Sequence, residues 1–157
     1  MFKLLVIISI LMLPCELNAQ ASNEYLGKWK VVAVNNGVYY NYKTDSSYVT
    51  KNFLNTLVGK PDSVETIAMF RSFASQYADY FFTFGSDGKY EELKNGAARV
   101  FGTFKVNSSN QNIDVMYGNA GKQHPGNFKF KFEKGNLILF IHNALMEDDL
   151  ELTLERP

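Results

Sequence analysis

Phe128-Lys129-Phe130-Lys131-Phe132 sets three rings on one side of an extended chain and two lysines on the other. A strand sends successive side chains to opposite faces, so this alternation marks a strand with one buried face and one solvated face. The same rhythm recurs at Leu150-Glu151-Leu152-Thr153-Leu154 and, less regularly, at Ile113-Asp114-Val115-Met116-Tyr117. Tyr80, Phe82 and Phe84 share a face, and so do Val100, Phe104 and Val106 with Gly102 between them. Asn36-Gly37, Asp87-Gly88, Asn95-Gly96, Lys134-Gly135 and Ser108-Ser109-Asn110 punctuate these runs, the Gly pairs suiting hairpins that need a positive φ. Short strands joined by tight turns argue for an antiparallel meander rather than for crossovers. Strands are expected near 27–34, 38–43, 79–85, 88–94, 98–106, 111–117, 127–133, 136–142 and 149–155.

One stretch departs from the period of two. Between residues 47 and 78, Val49, Phe53 and Leu57 recur every four residues and Gly59 follows as a C-terminal stop. After Pro61, Asp62 and Glu65 have the spacing of a capping box, and Ile67, Phe70, Ala74 and Tyr77 make an apolar stripe. Two short helices are expected here, inserted after the first strands. The Gly-rich stretch Gly118 to Gly126, with His124 and Pro125, reads as an exposed, mobile loop.

The first residues carry the tripartite pattern of an export signal. Lys3 supplies positive charge, Leu4 to Leu13 is apolar apart from Ser9, Pro14 breaks the run, and Leu17-Asn18-Ala19 offers a cleavage site. The apolar run is too short for a membrane span, which needs roughly 20 residues. Residues 1–19 are therefore expected to be a signal peptide, 20–157 a single exported domain, and the destination periplasmic or secreted. Lipid anchoring at Cys15 is the alternative, though Leu13-Pro14 suits it poorly. Cys15 is the sole cysteine, so no internal disulfide can form and the core alone must hold the fold.

The charges balance, with 16 basic against 16 acidic residues, and no basic stripe tracks a phosphate backbone, which argues against a nucleic-acid partner. The aromatic content is high, with 13 Phe, 9 Tyr and 1 Trp. Rings favour strands and bring large buried area.

Tyr25-Leu26-Gly27-Lys28-Trp29-Lys30-Val31-Val32 follows closely on the expected signal. It resembles the Gly-x-Trp strand that opens lipocalins and the related intracellular fatty-acid-binding proteins. In that superfamily the Trp plugs the closed end of a barrel and the Gly permits a close backbone approach. Phe82-Thr83-Phe84-Gly85-Ser86-Asp87-Gly88-Lys89-Tyr90, continued by Gly102-Thr103-Phe104, is similar to the mid-chain pattern of small secreted bacterial lipocalin-like proteins. The resemblance implies a mainly β fold: an up-and-down barrel of about eight or nine strands, with the helical pair inserted after the first strands. Four departures stand against it. The helical segment 47–78 follows what reads as the second strand, not the first as in fatty-acid-binding proteins. The Thr-Asp-Tyr loop signature of lipocalins is missing. Their C-terminal Arg, which packs over the Trp, has only Arg156 as counterpart. The Arg-x-Tyr carboxylate clamp of fatty-acid-binding proteins has no equivalent in Leu152-Thr153-Leu154-Glu155-Arg156, so fatty-acid binding is not transferred.

The residues expected to line the barrel are Trp29, Tyr80, Phe82, Phe84, Tyr90, Phe104, Tyr117, Phe128, Phe130 and Phe132. The same rings could fill a solid interior or wall a ligand cavity, and the tyrosines favour the cavity because a buried hydroxyl wants a partner. Glu91 and Glu92 point to opposite faces of a strand. If Tyr90 faces inward, so does Glu92, which could then orient a polar ligand; a one-residue slip in register would turn it outward. His124 and His142 belong to no metal-binding spacing, and Glu147-Asp148-Asp149 lacks the geometry of a calcium loop and reads as a solvated turn. No catalytic residue, metal or cofactor is implied, since nucleophile, base and orienting group do not come together. The expectation is a non-catalytic protein binding a small apolar or amphipathic ligand inside the barrel. The alternative is a protein-interaction module, such as an inhibitor or envelope assembly factor, on a filled barrel.

Overall fold

The computed structural model describes residues 23–119, 122–142 and 149–157. The expected signal peptide with Cys15, and Glu147 and Asp148 of the acidic run, lie outside the described residues.

The elements run in the order β1 (Gly27–Asn35), β2 (Val38–Asn41), β3 (Ser46–Val49), α1 (Lys51–Leu57), α2 (Ser63–Ser75), β4 (Tyr80–Phe84), β5 (Lys89–Lys94), β6 (Ala97–Asn107), β7 (Asn112–Asn119), β8 (Lys122–Glu133), β9 (Asn136–Ile141) and β10 (Leu150–Glu155). Each of β4 to β9 pairs antiparallel with the next. β1 pairs with β4 on one edge and with β10 on the other, closing an eight-stranded barrel. The seam places Val31 opposite Leu154 and Val34 opposite Leu152, with a bulge between Val31 and Ala33. All four of these side chains are fully buried. The hairpins at Asn95-Gly96 and Lys134-Gly135 have positive φ at both central residues, the backbone that matches the twist of flanking strands.

One edge of β1 has two partners. Gly27 to Lys30 pair with β4, whereas Ala33 to Asn35 pair with β2. The β2–β3 hairpin therefore takes over β1 where β4 leaves it, and it carries the helices. Asn36, buried in the β1–β2 turn, fixes them. Its side-chain oxygen accepts from the Val38 amide at 3.1 Å, and its amide nitrogen donates to the Phe70 carbonyl in α2 at 3.0 Å. The Tyr42 hydroxyl donates to the Ala74 carbonyl, and the Phe53 and Phe70 rings pack at 4.6 Å. Ala74 is fully buried against the barrel core.

Four expectations need correction. Ser46–Val49 forms a strand, so Val49 lies before α1 rather than on its apolar stripe, and Thr50 caps that helix by accepting from the Phe53 amide. Asp62 stands at the start of α2 but makes no side-chain cap bond. The stretch 118–126 is mostly strand: β7 runs to Asn119, β8 begins at Lys122, and His124 and Pro125 sit in the ladder opposite Tyr117 and Met116. The second strand ends at Asn41, earlier than expected.

Candidate functional site

The barrel has a sealed end and a polar end. At the sealed end, Trp29 is 1% exposed. Its indole N–H donates to the Tyr25 carbonyl at 2.7 Å, and the Arg156 guanidinium carbon lies 4.4 Å from the ring centroid. Arg156 in turn donates to the Leu26 and Glu24 carbonyls at 3.1 and 2.7 Å. Gly27 makes this possible: a Cβ there would lie 2.9 Å from an Arg156 nitrogen, and its φ of +113° is one that side chains disfavour. Arg156, counted above among the departures, does pack over the tryptophan. Tyr25, just before β1, reaches Phe104 on β6 and Phe130 on β8 at 6.0 and 6.4 Å. Those strands lie across the ring from β1, so the chain entering β1 crosses and covers this end.

The middle is packed. Phe82 on β4 meets Phe128 on the facing strand β8 edge-on at 6.4 Å, and Tyr90 meets Phe128 at 6.0 Å. Phe84 and Phe104 touch at 5.2 Å, and Trp29 and Phe132 at 6.2 Å. Rings from opposite walls meet, so the lower and middle barrel is core.

The polar end is built from tyrosines around one carboxylate. Register places Glu92 opposite Phe82 on β4 and Val100 on β6, with its side chain on the inner wall. One carboxylate oxygen accepts from the Tyr80 hydroxyl and the other from the Tyr90 hydroxyl. Tyr77, just beyond α2, packs on Tyr80 at 5.2 Å and on Phe73 at 5.9 Å, so the end of α2 roofs the cluster. Tyr117 lies on β7 opposite Gly102, with the His124 ring 6.4 Å away.

No protein-family model matches this chain, and no curated protein does. Among solved structures, the crystal structure of a DUF4847 family protein from Bacteroides vulgatus ATCC 8482 is similar. The match has a TM-score of 0.49 and 11% identity, and it covers 86% of this chain and 96% of that one.

The ten residues expected to line the barrel all join its interior, in two groups. Trp29, Phe82, Phe84, Phe104, Phe128, Phe130 and Phe132 pack on one another in the sealed and middle parts, whereas Tyr80, Tyr90 and Tyr117 belong to the polar end. The parity argument for Glu92 holds, and Glu91 faces out opposite Thr83 and Phe101. Tyr77, Tyr42 and Asn36 escaped sequence reasoning as parts of one assembly. The available signal was Tyr77 closing an apolar helical stripe three residues before Tyr80. His142 lies exposed at the end of β9, its Nδ1 3.1 Å from an Asp149 carboxylate oxygen. Among the described residues, no group of three or more His, Cys, Asp or Glu side chains is placed to hold a metal.

The tyrosines of the polar end resist ionisation. Burial first, and then the negative charge of Glu92, push the Tyr77 hydroxyl from its ordinary 10.0 up to about 12. The same two causes, with the hydrogen bond to Glu92, raise Tyr80 and Tyr90 further, Arg99 pulling Tyr80 slightly back. Burial also raises Tyr42. Each group holds its proton more tightly in the folded than in the unfolded chain. The stability they contribute is therefore fully present below pH 10.0 and is lost as pH climbs through that value to 12 and beyond, because the unfolded chain ionises first. Alkaline titration should show tyrosinate absorbance from these four appearing together with loss of near-ultraviolet circular dichroism. Single Tyr→Phe variants at the four positions would assign the signal, and ionisation of the four near pH 10.0 in a still-folded protein would contradict the burial of the cluster.

Proposed function

We propose that this protein is an exported, non-catalytic, lipocalin-like carrier that binds a small amphipathic molecule at the tyrosine-lined end of the barrel. The observation that carries the reading is Glu92 on the inner wall, bonded to both Tyr80 and Tyr90, above a floor of packed rings and beneath the end of α2. A polar cluster inside a mostly apolar barrel is tolerated only where its hydrogen bonds are made, as they are for Glu92. This one lies where a ligand's polar end can exchange hydrogen bonds with it while an apolar part lies against rings. Ligand sites in small barrels have this composition: mostly apolar, with a few placed polar groups. The stack of Arg156 on Trp29 supports the lipocalin-like reading, and the sequence from Lys3 to Ala19 supports export. No helix among the described residues is long and apolar enough to cross a membrane.

A protein-interaction role is the second reading. It is favoured by the apolar outer surface of the helical pair, where Val58 is 80% exposed and Val64 73% exposed, with Met69 and Leu54 also in water. Native mass spectrometry of the protein purified from its own host separates the two. A reproducible added mass, removed by organic solvent, is the expected result. A ligand-free chain held in a fixed ratio with one other protein would replace the carrier reading with the second.

A further inference from the structure

We propose that the polar end of the barrel selects a cationic head group, an ammonium carrying an apolar tail, with Glu92 as its counter-charge and the surrounding tyrosine rings as its cage. This rests on the carrier reading above and names the chemistry of that site.

Four observations lead to it. First, Glu92 is half-buried on the inner wall, and its two carboxylate oxygens are each held by one tyrosine hydroxyl. A carboxylate has about four acceptor positions, so each oxygen keeps capacity to face a ligand. Second, among the described residues no Lys, Arg or His nitrogen lies within 4.0 Å of it; the ion pairs present use Asp79, Glu155, Asp87, Glu133 and Asp149 instead. A partly desolvated anion without a counter-ion is costly, and a cation entering from solvent relieves that cost. Third, the walls beside the carboxylate are aromatic: Tyr80 lies between Tyr77 at 5.2 Å and Phe82 at 5.5 Å, and Tyr90 adjoins Phe82. Ring faces are electron-rich, and a desolvated ammonium within about 6 Å of them is attracted. Fourth, burial first and the charge of Glu92 second hold Tyr77, Tyr80 and Tyr90 in their neutral form, so none of them adds a charge beside the carboxylate.

The groups that oppose this are Lys94, opposite Tyr80 at the end of β5, and Arg99, exposed at the bulge between β5 and β6. Arg99 is exposed, where water screens it, whereas Lys94 is half-buried on the same face of β5 as Glu92, yet neither forms an ion pair with the carboxylate. An anionic head group would have to displace the tyrosine hydroxyls or bring a second negative charge beside Glu92. An ammonium needs neither.

The test uses the whole exported chain and three probes sharing one tail: octyltrimethylammonium, octyl glucoside and octanoate, each titrated calorimetrically below its micelle concentration. The expected result is binding of the ammonium at least about tenfold tighter than either other probe, which corresponds to about 1.4 kcal/mol. Glu92→Gln keeps the shape and should abolish that preference. Tyr80→Phe, which removes one clamp on the carboxylate, should weaken the preference and guards against a folding defect in the Gln variant. Equal affinities, a preference for octanoate, or a preference that survives Glu92→Gln would each overturn the cationic assignment and leave the carrier reading standing. Binding of none of the three would overturn the assignment too. The carrier reading would fall with it only if native mass spectrometry also found no extractable mass.

Discussion

Replacing Trp29 with alanine should remove about 3–5 kcal/mol of folding stability, the range for truncating a large buried ring. The whole stability of a domain of this kind is about 5–15 kcal/mol, so the variant should lose a large share of it or fail to fold. The size of the effect follows from what the indole does. It is 1% exposed, it packs on Phe132, it lies beneath the Arg156 guanidinium, and its N–H holds the Tyr25 carbonyl. Truncation leaves a cavity, an unpaired carbonyl and an arginine with nothing to stack on. With Cys15 the sole cysteine, no disulfide within the chain can compensate. Trp29→Phe should recover most of the loss, since it restores a ring and gives up only the N–H bond. Arg156→Ala should cost less than Trp29→Ala, because the guanidinium is exposed and water can replace part of its contacts. Urea denaturation followed by circular dichroism gives all three values. If Trp29→Ala and Arg156→Ala proved equal and small, the tryptophan would not be packed as described and the barrel end would not be sealed by it.

The strands were legible because alternation survives locally. In Phe128-Lys129-Phe130-Lys131-Phe132 the lysines are exposed and the rings are buried or half-buried, so the period of two reports the barrel wall directly. The same parity put Glu92 inside with Tyr90. What could not be read depends on partners distant in sequence. Ser46–Val49 is short and polar and, among the described residues, pairs only with β2, and the four-residue spacing of Val49, Phe53 and Leu57 ran unbroken across its boundary with a helix. Gly118 to Gly126 resembled a loop because it is Gly-rich, and its part from Lys122 to Gly126 holds Pro125, which cannot donate to a ladder and belongs at sheet edges. The stretch is in fact an edge on one side: β9 ends at Ile141 opposite Phe128, so among the described residues these positions pair only with β7. The polar end was legible in part. Tyr80, Tyr90, Tyr117 and Glu92 follow from strand parity, whereas Tyr77 reaches them only because Asn36 and Tyr42 tie α2 to the β1–β2 hairpin.

Gly102→Ala should be nearly as damaging as the loss of the tryptophan, costing about 3 kcal/mol, at the upper end of what overpacking usually costs. Gly102 sits in β6 between Tyr90 on β5 and Tyr117 on β7. A Cβ there would lie 1.8 Å from the Met116 carbonyl oxygen, 2.8 Å from its carbonyl carbon and 2.9 Å from the Tyr117 Cα. All three obstacles are backbone, so no side chain can swing aside. Bringing the closest contact to even 3.0 Å would part the two strands by more than an ångström. In a closed barrel they cannot drift apart freely, because β5 and β8 hold them from either side. The strain is therefore expected to appear as broken β6–β7 hydrogen bonds and as displacement of Tyr90 and Tyr117, the two rings flanking the site. Gly96→Ala is the matched control. A Cβ at Gly96 meets nothing within 4 Å and suffers only from a φ of +76°, a cost of roughly 1–2 kcal/mol. Denaturation midpoints and amide exchange along β6 and β7 would measure both variants. If Gly102→Ala cost no more than Gly96→Ala, with β6 and β7 amides equally protected, then the close approach of these strands would be wrong, and with it the placement of Tyr90 and Tyr117 around Glu92.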